Sequence, residues 1–397
     1  MKHLIYITLF SVLFVSCRDE VEIRIPETEV VAPPDTTPAA PQDTTTITPK
    51  PQLLGFYLLN EGNMGSNKST LDYMDFTTGE YHRNIYAAVN PTVPKELGDV
   101  GNDLKIYGSR LYAVINCSNK VEVMDAATAR RIGKIDIPNC RYIQFHKGYA
   151  YVTSYAGPVN IDQHYEQIGY VAKVDTATLQ VIDRCLVGFQ PDELEIVDGK
   201  IYVANSGGYM VPNYENTVSV IDIETFTEIK RIEVDINLHH LRADRHGKLW
   251  VSSRGDYYEH PSRLYWIDTA TDTYGGKLEV AASHFHLDGD SLYIYSAEFN
   301  YNTFEYKTTY GIVDVVKKEL VTSNFITDGT EKQFGMPYGI WVHPYTKDIY
   351  ITDAANFVYP GMVICYGKDG KKKWQVRAGD IPAHFAPRYE VFKISTE

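Results

Sequence analysis

Residues 194–222, LEIVDGKIYVANSGGYMVPNYENTVSVID, decide the fold. Leu194–Val197 and Lys200–Ala204 are short alternating runs joined by Asp198-Gly199, a dipeptide suited to a two-residue hairpin because both positions accept positive φ. A loop carrying Tyr209 and Tyr214 leads to Thr217–Ile221, and Ile229–Val234 supplies a fourth run. Four such strands make one antiparallel sheet, which cannot cover both of its faces alone.

The unit recurs along the chain. A small or apolar residue before an aromatic opens a strand at Phe56-Tyr57, Leu111-Tyr112, Ala150-Tyr151, Ile201-Tyr202, Leu249-Trp250, Leu292-Tyr293 and Ile349-Tyr350. A strand ending in Asp before a turn recurs at Asp75, Asp125, Asp175, Asp222, Asp268 and Asp314, spaced 46 to 50 residues apart, with Tyr366-Gly367-Lys368 in the last repeat. That period belongs to propellers, in which radial stacking buries the sheet faces and leaves short edges. The expected fold is an all-β, seven-bladed propeller of four-stranded antiparallel blades over residues 53–397. Leu53–Asn60 looks like a second strand lacking a first, and Ala383–Val391 like a first strand lacking its mates. The last segment is therefore expected to complete the first blade.

Strands run outward from the axis, so the loops between second and third strands share one face with the links between blades. On that face the loops are long and aromatic, and long loops on a rigid scaffold carry binding residues. The candidate ligand contacts there are Tyr155, Tyr165, Tyr209, Tyr214, Arg254, Tyr257, Phe299, Tyr301, Phe357 and Tyr359. At the mouth of the axial channel the pseudo-symmetry places Asp103, Arg141, Glu193, His240, His284, Tyr338 and His384. Of these, His240, His284 and His384 join the candidate list, together with Asn60 and Asn205, which stand three residues past the signature aromatic. Those small polar positions serve equally well to bond a ligand or to satisfy loop backbone. A metal would need imidazoles converging to about 2 Å from one ion, which non-adjacent blades of a wide ring do not supply, so neither metal nor cofactor is expected. A His at this place also resembles the structural Gly-His of WD-type propellers. The chain has no GxSxG, no phosphate-cradling Gly run and no HExxH, and an enzyme is not expected; a propeller lactonase or lyase using Asp103 and Glu193 ranks below a binding protein.

The amino terminus assigns a compartment. Leu4–Val15 is apolar, too short to span a bilayer, and ends in Phe14-Val15-Ser16-Cys17, a lipobox. Residues 1–16 are expected to be a signal peptide and Cys17 the lipidated residue, which anchors the protein to a membrane without crossing it. Residues 17–52 are rich in Pro and Thr and carry no hydrophobic periodicity, so they read as a disordered tether. At about 3.1 Å per residue, about 35 residues reach on the order of 100 Å. The net charge of −13 argues against nucleic acid as a partner. Tyrosine is abundant, at 31 residues, and suits recognition surfaces. Past Cys17 four cysteines remain; Cys117 and Cys140 could pair, although free buried thiols fit better a set with no CxxC and no metal spacing.

Ile201–Asn205 (IYVAN), Asn216–Asp222 (NTVSVID) and Val187–Leu194 (VGFQPDEL) resemble the surface-layer-like bacterial propellers. A narrower similarity is to the vitamin B12-capturing surface lipoproteins of Bacteroides-type bacteria, the BtuG type. It rests on the lipidated Cys, the acidic Arg18–Glu22 cluster after it, the Pro/Thr tether, the opening LLNEGNMGSNKSTLDYMD (Leu58–Asp75) and the tyrosine-rich loops. The resemblance implies an outer-membrane, surface-exposed lipoprotein that captures cobalamin or related corrinoids on the long-loop face and passes them to a TonB-dependent transporter. It transfers no ligand residue to a numbered position. The alternative is a protein-binding surface-layer propeller or adhesin.

Overall fold

The computed structural model describes residues 23–24, 51–302 and 304–390. Seven antiparallel sheets stand in a ring. The second blade runs Gly101–Tyr107, Arg110–Ile115, Lys120–Asp125 and Arg131–Asp136, and the next five blades repeat that order from the axis outward. The first blade is built from both ends of the chain: Pro382–Tyr389 pairs antiparallel with Leu53–Asn60, which leads out to Thr70–Asp75 and Glu80–His82. Closure by the carboxy-terminal strand is thus as the orphan runs foretold. The backbone of Ile23–Arg24, inside the segment expected to be a structureless tether, pairs with Tyr81 and Glu80 as a fifth strand. Cys17, the signal peptide and most of the tether fall outside the described residues.

The repeat signatures have distinct physical jobs. Asp125 Oδ1 accepts from the Ala127 and Thr128 amides and the Thr128 hydroxyl, closing the turn between third and fourth strands. Asp175 does the same with Ala177 and Thr178, and Asp222 with Thr225. In the seventh blade, which has no such Asp, the Gly367 and Gly370 amides close the turn on backbone carbonyls. The hairpin at Asp198-Gly199 has φ of 47° and 78°, both positive as a two-residue primed turn requires.

The signature aromatics point into the seams. Tyr112, Val114, Val121 and Val123 of the second blade meet Ile143, Val152, Ala172 and Val174 of the third, nearly all fully buried. Equivalent clusters fill the other seams. Each fully buried aliphatic side chain contributes roughly 1.5–3 kcal/mol, so inter-blade packing holds the ring. The Tyr57 hydroxyl crosses one seam, donating to the Ala126 carbonyl in the next blade at 2.9 Å, whereas the buried Tyr112 and Tyr310 hydroxyls have no hydrogen-bond partner among the described residues.

The sixth blade departs from expectation. Phe299 and Tyr301 are expected on a loop, but Ser291–Asn300 and Glu305–Asp314 pair as a hairpin of two ten-residue strands, with Phe299 opposite Tyr306. Alternating aromatic and Thr residues favour a pleated surface and extend the ladder past the length of its neighbours.

Candidate functional site

The inner strands fix the site through their register. Pairing with the second strands aligns Leu104, Ile143, Leu194, Leu241, Phe285, Ile340 and Phe385 as one buried or half-buried layer. The residues one step toward the long-loop face are Asp103, Tyr142, Glu193, His240, His284, Gly339 and His384. A further step gives Asn102, Arg141, Asp192, His239, Ser283, Tyr338 and Ala383. Arg141 and Tyr338 therefore belong to the outer tier, one residue away from their expected place. The same extra residue against the second strand recurs in four inner strands, between Cys140 and Ile143, Pro191 and Leu194, Leu238 and Leu241, and Pro337 and Ile340, so bulging does not set these two positions apart.

A cavity of about 940 Å³ opens at this mouth. Its floor holds Asn102, Arg141, Tyr142, His239, His240, Ser283, His284, Tyr338 and His384, from six blades. One wall is aromatic: Tyr257 and Tyr258 from the fifth blade, with Phe299 and Tyr306 from the long hairpin of the sixth. Phe299 packs on Tyr306 at 4.9 Å between ring centres, and Tyr301 stacks on Tyr258 at 5.2 Å behind them.

Two buried carboxylates organise the floor from below. Asp192 accepts from Arg141 Nε at 3.1 Å, Arg254 Nη1 at 2.8 Å and the Tyr155 hydroxyl at 2.6 Å. Burial alone raises its pKa, but Arg254 and Arg141 outweigh burial and hold the carboxyl below its ordinary value. Glu193 accepts from Arg242, His240 and the Leu241 amide of the neighbouring blade, and despite burial Arg242 and His240 hold it well below the carboxylate range. Asp103 likewise accepts from the Ile143 amide one blade on, at 3.0 Å. Both acids named as an acid/base pair thus have inter-blade bonds to keep. Across the ring, Glu61 takes the Tyr338 hydroxyl and His384 Nε2, each at 2.9 Å.

The imidazoles are close together and uncharged. His239 and His240 have ring centres 3.7 Å apart, and His240 and His284 4.2 Å. Burial pushes all three pKa values down; for His239 the charge of Arg254 adds to it, and for His284 that of His240. Among the described residues no group of three or more His, Cys, Asp or Glu side chains is placed to hold a metal ion.

Of the sequence candidates, Arg254, Tyr257, Phe299, Phe357, His240, His284 and His384 line the cavity. Tyr155 lies beneath it, its ring 4.8 Å from the Arg141 guanidinium, and Tyr209 packs on Tyr155. Tyr214 stands beside the aromatic wall, where burial and then Tyr257 push its phenol up to about 12. Tyr301 backs the wall, whereas Tyr165, bonded to the Pro158 carbonyl, and Tyr359, 67% exposed, are not among the lining residues. Asn60 and Asn205 are corrected to structural roles: both are fully buried inside their blades. Asn205 accepts from the Gly188 amide and donates to Thr217 and Ser219, and Asn60 is bonded to Thr70 and to the Gly379 amide. A Cβ at Gly188 would stand 2.5 Å from Asn205, and one at Gly379 2.7 Å from Asn60, so each glycine makes room for its Asn. Tyr142, His239 and Glu61 were missed; the first two follow if a one-residue register slip is allowed for the inner strands. The four cysteines past Cys17 are free, three of them buried and Cys117 exposed.

Fold and site together define a seven-bladed propeller with one deep, aromatic-walled cavity at its axial mouth on the long-loop face. The chain belongs to the DUF5074 family, described as a domain of unknown function, which it matches over residues 54–361. No curated protein matches it. Among solved structures it is similar to a quinonprotein alcohol dehydrogenase-like protein from Bacteroides thetaiotaomicron, at 14% identity and TM-score 0.56 over 84% of this chain and 77% of that one. It is also similar to the hydrazine synthase of Kuenenia stuttgartiensis, at 16% identity and TM-score 0.53 over 68% and 77%. AztD of Citrobacter koseri gives 12% identity and TM-score 0.50 over 86% and 99%. These likenesses carry the propeller fold and nothing of the chemistry.

Proposed function

We propose that this protein captures a corrinoid in the axial cavity and does not transform it. The observation that carries the proposal is the cavity itself: about 940 Å³, at the upper end of small-molecule sites. Tyr and Phe form its wall, and imidazoles, guanidiniums and phenols form its floor. A corrinoid is a broad, largely apolar disc fringed with amides, which such a surface matches with apolar faces and with both donors and acceptors. With on the order of 90 heavy atoms at about 0.3 kcal/mol each, its attainable affinity passes the practical ceiling near −20 kcal/mol. Very tight capture thus needs no covalent step. Against turnover, Asp103, Asp192 and Glu193 are committed to ion pairs or backbone amides of neighbouring blades. On the same proposal Cys17 is lipidated, the domain faces outward from the outer membrane, and the ligand passes to a TonB-dependent transporter.

Calorimetry on the domain lacking residues 1–50, titrated with cyanocobalamin, cobinamide, haem and oligosaccharides, tests the ligand. One-to-one heat with a corrinoid is expected, and Tyr257→Ala or Phe299→Ala should each lose about 2 kcal/mol, roughly 30-fold. Substitutions at Asp198 or His246 on the opposite face should leave affinity intact. Absence of heat with both corrinoids at micromolar protein would refute capture and favour a protein partner. For location, Cys17→Ala should release the protein from membranes, and protease added to whole cells should remove the wild-type domain; protection in intact cells would place it inside the outer membrane.

A further inference from the structure

The floor of the cavity carries more positive charge than its structural partner can neutralise. Arg141 and Arg254 both line the cavity, and both bond the single buried carboxylate of Asp192. Each guanidinium has five N–H donors, and Asp192 takes one from each. Among the described residues no other carboxylate pairs with either. Glu193, the nearest acid in sequence, is engaged with Arg242 and His240, and Glu61 lies on the far side of the ring with Tyr338 and His384. The two guanidiniums also remain partly open to solvent, with side chains 16% and 26% exposed, while Asp192 is wholly enclosed beneath them. Arg141 is further held by the Tyr155 ring, and Tyr155 is itself tied to Asp192. The field of the pair is felt nearby, since Arg254 and Arg141 add to burial in keeping His239 uncharged. A protein of net charge −13 therefore sets two guanidiniums against one carboxylate, with several fixed donors, on one side of the cavity floor, opposite Glu61, which also lines it.

We propose that Arg141 and Arg254 form an anion subsite that receives the phosphodiester of a complete cobamide. The proposal rests on the corrinoid assignment and narrows it: cobalamin carries one phosphodiester in its nucleotide loop, and cobinamide is the same macrocycle without it. Forked guanidiniums suit phosphate geometry, and a site built to bond a group discriminates strongly against a ligand that lacks it.

The test compares dissociation constants of cyanocobalamin and cobinamide for the wild-type domain and for Arg254→Gln and Arg254→Lys. Wild type should bind cyanocobalamin at least tenfold more tightly than cobinamide. Arg254→Gln should weaken cyanocobalamin at least tenfold more than cobinamide, and Arg254→Lys should restore part of that difference. Equal affinities in wild type, or equal losses in Arg254→Gln, would overturn the subsite while leaving corrinoid capture standing. If neither corrinoid binds, capture fails, and inorganic phosphate decides the subsite alone. Millimolar phosphate binding abolished by Arg254→Gln would uphold it, and no binding to wild type would overturn it.

Discussion

Asp192→Asn removes a charge and keeps a shape. The wild-type carboxylate is fully buried and shared by Arg141, Arg254 and Tyr155. The amide still accepts from Tyr155, but two neighbouring guanidiniums lose the one carboxylate that pairs with them among the described residues. Removing one partner of a buried ion pair costs about 3–5 kcal/mol. A large domain loses about 2 °C per kcal/mol, so Tm at pH 7 should fall by roughly 6–10 °C, readable by calorimetry or circular dichroism. The pH dependence gives a second signature. The folded-state pKa of Asp192 is depressed, so its stabilisation is complete above the unfolded value near 3.9 and is lost as pH falls through the folded value. The variant has nothing to titrate there. The gap in Tm between wild type and variant should therefore narrow on acidification from pH 7 to pH 3. A variant within about 2 °C of wild type at pH 7, or a gap that widens in acid, would refute the role given to this carboxylate.

Asn205→Ala should destabilise by about 2–3 kcal/mol, through the Gly188 amide and two hydroxyls left without their partner; a matching loss of ligand affinity in the folded fraction would return Asn205 to the site. Deleting residues 382–397 takes away the strand paired with Leu53–Asn60 and should abolish cooperative melting, whereas removing residues 1–50 should move Tm by less than about 2 °C; similar melting of both would contradict ring closure. In the domain lacking residues 1–50, a thiol reagent at pH 8 should titrate Cys117 alone and all four thiols after denaturation. The buried Cys140 and Cys365 are pushed up to about 12 and Cys185 to about 11, while Cys117 is exposed. Fewer than four thiols in denaturant would reveal a disulfide.

The architecture was legible because its signals are local. An Asp that closes its own turn, a Tyr at a fixed offset and a strand without a mate need no knowledge of distant residues. The site was legible only by face. Arg254, Tyr257, Phe299 and Phe357 follow from loop position, but Arg141 and Tyr338 belong one tier further out than expected, because a short, largely apolar run such as Tyr142–Phe145 or Ile340–Val342 leaves the first residue of an inner strand open by one position. Asn60 and Asn205 were misassigned for a related reason. A small polar residue ending a strand looks the same whether it faces a ligand or a glycine amide, and what it meets at Gly379 or Gly188 lies far away in sequence or in a separate loop. The hairpin of the sixth blade was hidden by its own aromatics, which a loop on a binding face and a strand use alike.

The two tiers of inner-strand residues have an evolutionary consequence. Every blade presents one side chain to each tier except the seventh, where Gly339 leaves one place empty, and each does so where the strand has already left the packed seam. Some positions are locked together, as Arg141 and Asp192 are with Arg254, and Tyr338 and His384 are with Glu61. Ala383 contributes no polar group, and Asn102 and Ser283 make modest neighbourly bonds, Asn102 to the Arg141 carbonyl and Ser283 to the Ala297 amide and the Ser296 hydroxyl. After gene duplication a lineage could rewrite those three positions, one per blade in the second, sixth and first blades, and acquire a new ligand without disturbing the seams that keep the ring shut.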